Sequence, residues 1–123
     1  MFKQQDIQII EDDGYIRVVY RGDAQYDAVT EMLRTVAGLA ADKQITRLLI
    51  DIREANYDHY HVETIRHTEE ATALGFNRNF RIVFVGHTND QMLRFIENVT
   101  VNRGYKTKVF IEEPLAVAWL GGN

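Results

Sequence analysis

Residues 46–60 read TRLLIDIREANYDHY. The run Leu48-Leu49-Ile50-Asp51-Ile52 is almost continuously apolar rather than alternating, the pattern of a parallel strand covered on both faces. It passes directly into a polar turn that ends Asp58-His59-Tyr60. In open α/β sheets, functional groups gather where a strand's carboxyl end opens into a loop. The stretch therefore predicts both an architecture and a place to look for a site.

Working outward, Asp6 to Ile10 and Tyr15 to Tyr20 are β-rich runs on either side of Glu11-Asp12-Asp13-Gly14. Asp-Gly between apolar runs predicts an antiparallel hairpin. Gly22-Asp23 breaks the pattern, and Asp23 is placed to cap a helix with Tyr26, Val29, Leu33, Val36, Ala37 and Ala40 at helical spacing. A second helix is expected from about Tyr60 to Leu74. Its apolar face is narrow: Val62, Ile65, Ala73 and Phe76 share it with Glu69, so this helix should be the least stable. RIVFVG, residues 81–86, predicts another buried strand. Asp90 is placed to cap a third helix that turns Met92, Phe95, Ile96 and Val99 inward and stops at Gly104. Lys106 to Ile111 predicts the last strand. Pro114 suits a first helical turn, after which Leu115, Ala118 and Trp119 close the chain as a short helix.

The order β-β-α-β-α-β-α-β-α implies right-handed strand–helix–strand crossovers. The expected fold class is α/β: a mixed, mainly parallel five-stranded sheet with an N-terminal antiparallel hairpin and four helices. With 123 residues, the chain is expected to form one domain over residues 1–123 and to bury about two-thirds of its unfolded surface.

Composition narrows the chemistry. The net charge of -4 disfavours nucleic acid as a partner. Cysteine is absent, which removes disulfides, thiolate nucleophiles and Cys-based zinc sites. Serine is absent too, so no serine nucleophile or phosphoserine switch can be built. The first residues lack the apolar core of a signal peptide, and no segment has the roughly 18 apolar residues of a transmembrane span. A cytoplasmic location is expected.

LLIDIREANYDHY after the first long helix, together with the tail GYKTKVFIEEPLAVAWL, resembles the STAS domains and, among them, the SpoIIAA-like proteins. The tail matches as an edge strand, an acidic turn and a short helix ending Ala-x-x-Trp-Leu. The resemblance covers nearly the whole chain and implies a mixed sheet surrounded by helices. Regulators of the anti-sigma-antagonist type carry Asp-Ser-Ser-Gly after this strand, with a phosphorylated serine. Here the corresponding place reads Asp58-His59-Tyr60-His61, which keeps the Asp and neither serine nor the glycine. The similarity of STAS folds to CRAL-TRIO lipid carriers implies apolar-ligand or membrane-surface binding.

Several constellations are candidates for chemistry. His59, His61, Glu63 and His67 are ligand types for a divalent cation, although their spacing matches no known motif and also suits a solvated helix start. Asp51 and Asp58 could act as acid and base, or Asp51 could accept from loop amides while Arg53 pairs with a neighbour. No nucleophile accompanies them, so no enzyme is expected. Gly86-His87-Thr88-Asn89-Asp90 opens a helix and could hold an anion, or simply cap it. Arg66, Arg78, Arg81 and Arg94 would meet anionic headgroups if they shared a face, and Arg66 could instead pair with Glu70.

The leading expectation is a non-catalytic binding or regulatory module without a cofactor. Its apolar cleft would lie between the second and third helices, with Ile65, Leu74 and Phe76 facing Met92, Leu93 and Phe95. Leu93 falls off the inward stripe and so adds surplus apolar surface. The expected occupant is a lipid or other apolar small molecule, or a membrane touched peripherally. The alternatives are a protein-interaction module, including a homodimer, that uses the switch-position loop with Asp51, Asp58, His59 and Tyr60, and a His/Glu metal-binding protein.

Overall fold

Three buried, branched side chains in a row, Leu48, Leu49 and Ile50, set the middle of the sheet. The computed structural model describes residues 6–12, 14–87 and 91–121. In chain order the elements are β1 (Asp6–Asp12), β2 (Tyr15–Asp23), α1 (Tyr26–Lys43), β3 (Arg47–Asp51), β4 (Ala55–Asn56), α2 (His61–Leu74), β5 (Arg81–Val85), α3 (Gln91–Asn102), β6 (Lys106–Phe110) and α4 (Glu113–Leu120).

The strands lie in the order β1-β2-β3-β5-β6, with β4 beside β2. β1 and β2 form the antiparallel hairpin, and Gly14 takes the left-handed turn with φ of 86°. The β2–β3, β3–β5 and β5–β6 pairs are parallel. The five-stranded mixed sheet and four helices expected from sequence are therefore present. A sixth, two-residue strand is added where Gly22-Asp23 pairs with Ala55-Asn56. That pairing occupies Asp23: its carboxylate accepts from Asn56 Nδ2 at 3.1 Å instead of capping α1. Gln25, in extended conformation and without a side-chain cap, precedes the helix.

Strand alternation divides the core in two. Ile16, Val18, Tyr20, Leu48 and Ile50 face one way and pack with α1, α2 and α3. Leu49, Val83 and Val85 face the other and pack with Ala116 and Leu120 of α4. In α1 the buried residues are Met32, Val36, Ala37 and Ala40, with Val29 and Leu33 half-buried. The expected closing helix is present as α4, in which Ala116 and Leu120 point inward and Leu115 is 53% exposed.

The second helix corrects the expected stripe. Its buried residues are Thr64, His67 and Thr68, while Val62 is 65% exposed. Burying threonine costs little here, because each hydroxyl donates to a backbone carbonyl one turn back. Thr64 Oγ1 reaches Tyr60 O at 2.5 Å and Thr68 Oγ1 reaches Thr64 O at 2.7 Å. The helix stops at Gly75, with φ of 116°; a Cβ there would also stand 3.0 Å from Ala37 Cβ.

Candidate functional site

The turn that links the central strand to α2 is rooted by two buried tyrosines. Tyr57 and Tyr60 are 3% and 6% exposed. Tyr60 N donates to Tyr57 O at 3.1 Å, which closes the turn, and Tyr60 O accepts from Thr64 N at 3.1 Å, which starts the helix. Gly86, at the exit of β5, leaves room for this anchor. A Cβ there would lie 2.8 Å from Tyr57 Oη and 2.9 Å from a Leu93 methyl. Between and beyond the anchors, Asp58, His59, His61 and Val62 face outward.

Tyr60 also joins a buried polar stack. Its hydroxyl meets His67 Nε2 at 2.7 Å, and the His67 ring stacks on Tyr26 with centroids 4.4 Å apart. Tyr26 donates to Glu70, so Glu70 is engaged there rather than in the pair expected with Arg66. Burial pushes the Tyr60 hydroxyl above its ordinary range, with Glu63 adding to the shift. Burial pushes His67 down against the opposing pull of Glu70 and Glu63.

That direction has a pH consequence. With its folded pKa depressed, His67 favours the folded state fully above its ordinary pKa of about 6.5. The contribution is lost as pH falls from there through the lowered folded value. Urea midpoints should therefore drop between about pH 7 and 5 in the wild type, and less steeply in His67→Gln. Equal slopes in the two proteins would contradict the burial of a neutral imidazole.

The histidines do not converge. His59 Nε2 meets Ala24 O at 3.0 Å, the His61 ring packs 4.9 Å from the Phe95 ring, and His67 is turned inward. No group of three metal-ligating side chains gathers among the described residues, so the His59, His61, Glu63 and His67 cluster stays a feature of sequence only.

Asp51 and Asp58 have separate lives as well. Asp58 is exposed on the turn, whereas Asp51 is clasped on the α4 side of the sheet. Its Oδ1 accepts from Arg53 N at 3.1 Å and Arg53 Nε at 3.0 Å, and its Oδ2 from Arg53 Nη2 at 2.7 Å. Arg17 stands 3.4 Å from the same Oδ2 and holds Glu113 with two bonds of 2.9 and 2.8 Å. Arg53 Nη2 also reaches Glu113 at 2.7 Å, so the four side chains tie the start of α4 to β2 and β3. Burial raises the Asp51 carboxyl, but the hydrogen bonds and charge of Arg53, with Arg17 behind, outweigh it and hold the group below its ordinary value. This is a clasp, not an acid–base pair.

Three of the four arginines that could meet anionic headgroups lie over different rings. Arg66 covers Tyr26, Arg78 covers Tyr105 and Arg81 covers Trp119. Thr88, Asn89 and Asp90 of the proposed anion turn, and with them the expected Asp90 cap, fall outside the described residues.

The apolar cleft is displaced from its expected place. Met92, Leu93 and Phe76 belong to the core, with Leu74 and Phe95 packed on it and Ile65 half-buried, so these six do not enclose one cleft. Empty space lies instead beneath α2, against the sheet, α1 and the side of α3 that carries Ile96 and Thr100. A chamber of about 130 Å³ there is bounded by Met32, Ile50, Tyr57, Tyr60, Thr64 and His67, among others. It adjoins a second of about 90 Å³ that ends at Phe76 and Tyr105. Leu33, Ile50, His67, Thr68, Phe84 and Thr100 border both. The signal for this arrangement was present in the sequence as Thr64, His67, Thr68 and Ala71 at helical spacing. A hydropathy stripe passes over it because three of the four are polar.

No family model and no curated protein matches the sequence. Solved structures do match the fold. An uncharacterised Shewanella loihica protein with a SpoIIAA-like fold is 18% identical over 98% of both chains, with a TM-score of 0.61. An anti-sigma factor antagonist from Mycobacterium paratuberculosis is 13% identical over 96% of this chain and 95% of its own, with a TM-score of 0.63. SpoIIAA in its unphosphorylated form is 14% identical over 96% of this chain and all 100% of its own, with a TM-score of 0.57. The chain thus has a SpoIIAA-like fold. No described helix is long and apolar enough to cross a membrane.

Proposed function

We propose that the chain is a non-catalytic regulatory module that recognises a protein partner through residues 57–62. The observation that carries this reading is an outward-facing turn held on two buried tyrosines, with Val62, 65% exposed, beside Asp58, His59 and His61. A rigid stem presenting an apolar side chain within a polar rim is the usual anatomy of a recognition patch. Similarity in fold to two anti-sigma factor antagonists supports the regulatory class. The turn replaces the serines of the phospho-switch, so recognition here depends on the side chains themselves.

A photo-crosslinking residue at Val62 should yield one discrete adduct in cells, and the same residue at exposed Thr35 on α1 should not. The adduct's mass separates a different protein from a second copy of the chain. Equal labelling at both positions would contradict the reading.

A second reading is favoured by the chamber beneath α2: binding of a small apolar molecule. A largely apolar space of this size is close to what a ring-sized guest needs. Peripheral membrane contact draws less support, because Met92, Leu93 and Ile96 of α3 face inward.

A further inference from the structure

Resting on this second reading, we propose that the chamber beneath α2 takes an uncharged molecule of one to two rings' size whose single hydrogen-bonding group pairs with His67 Nδ1.

Charge is decided by the walls. Among the described residues, no Asp, Glu, Lys or Arg lines either chamber. A carboxylate or phosphate drawn under α2 would lose its hydration without gaining a counter-charge. The carboxylate of a fatty acid or a phospholipid headgroup would have to stay outside the chamber.

Size is decided by volume. The two spaces measure about 130 and 90 Å³ and have several lining residues in common. A cavity of about 150 Å³ accommodates benzene, so the space under α2 suits a compact ring body rather than a long acyl chain.

The polar contact is decided by what is left over. Thr64 and Thr68 spend their hydroxyl protons on backbone carbonyls, and the Tyr60 hydroxyl is committed to His67 Nε2. His67, 7% exposed and bordering both chambers, retains a buried Nδ1 with no hydrogen-bond partner among the described residues. A buried polar atom left unpaired costs free energy, and a water held by one polar partner among apolar walls is poorly bound. If the Tyr60 hydroxyl donates to Nε2, Nδ1 carries the ring proton and seeks an acceptor such as a ketone oxygen.

Three probes of matched shape test this by NMR titration of the intact chain, read at the Thr64 and Thr68 amides: acetophenone, α-methylstyrene and benzoate. Acetophenone should bind saturably and about fivefold tighter than α-methylstyrene, the worth of one net hydrogen bond. Benzoate should not bind. In His67→Phe, folded by circular dichroism, acetophenone should lose its advantage and bind no tighter than α-methylstyrene, because its oxygen is then buried unpaired. Equal binding of the neutral probes to the wild type would overturn the His67 assignment while leaving the chamber a ligand site. Benzoate binding as tightly as acetophenone would overturn the neutral ligand class. No saturable binding by any probe would overturn the proposal and the ligand reading together.

Discussion

Replacing Asp51 with alanine should lower stability by about 2 to 3 kcal/mol in urea unfolding. Removing one partner of a buried ion pair costs about 3 to 5 kcal/mol, because the other charge is left uncompensated. The estimate is reduced because the Arg53 side chain is 38% exposed and water screens part of the loss. Arg17 and Arg53 would be left to share Glu113 alone. The same clasp should weaken in acid: with the carboxyl held below its ordinary value, its contribution is complete above about pH 4 and lost as pH falls further. A loss below about 0.5 kcal/mol would place Asp51 among ordinary surface carboxylates.

Leu93→Ala should cost about 3 kcal/mol, within the range for fully buried leucines. Its side chain is 1% exposed and belongs to the main core cluster. The helical stripe read from sequence puts this leucine to the side as spare apolar surface, where truncation would cost less than about 0.5 kcal/mol. The two expectations differ enough for one denaturation curve to separate them. The physical reason for burial is that α3 is wedged between α2 and β6, so more than one of its faces is covered. Gly86 confirms the crowding, since even one added methyl would meet Leu93.

Those two residues show where a one-dimensional pattern runs out. Leu48 to Ile52 announces its environment because a strand buried on both faces needs apolar side chains at every position. The Asp-Gly hairpin and the α1 stripe are equally local, and all three appear in the structure where the residues predict them. The clasp is not local: Arg17 and Glu113 are 96 positions apart and meet only because α4 folds back across the sheet. α2 misleads for a different reason. Its inner face is threonine and histidine satisfied by backbone bonds, tyrosine and stacking, so hydropathy ranks Val62 and Ile65 above the residues that are buried. The stripe therefore points to the wrong side chains: the void is lined from α2 by Thr64, His67 and Thr68 and from α3 by Ile96 and Thr100, not by the six residues that the hydropathy pattern selects. The switch-position loop was legible as a place, and its geometry adds which side chains are anchors and which are free to be read. Tyr60, counted with Asp58 and His59 in that loop, is an anchor.

Residues 57–62 are the proposed recognition surface, and the partner captured by the crosslink at Val62 allows a direct measurement. Dissociation constants would be compared for the wild type and for Asp58→Ala combined with Val62→Asp, both substitutions being at exposed positions. An affinity loss of about 100-fold is expected, corresponding to about 1.4 kcal/mol for each of the two changes, with thermal stability unchanged. An unaltered dissociation constant in a folded double variant would contradict recognition through this turn.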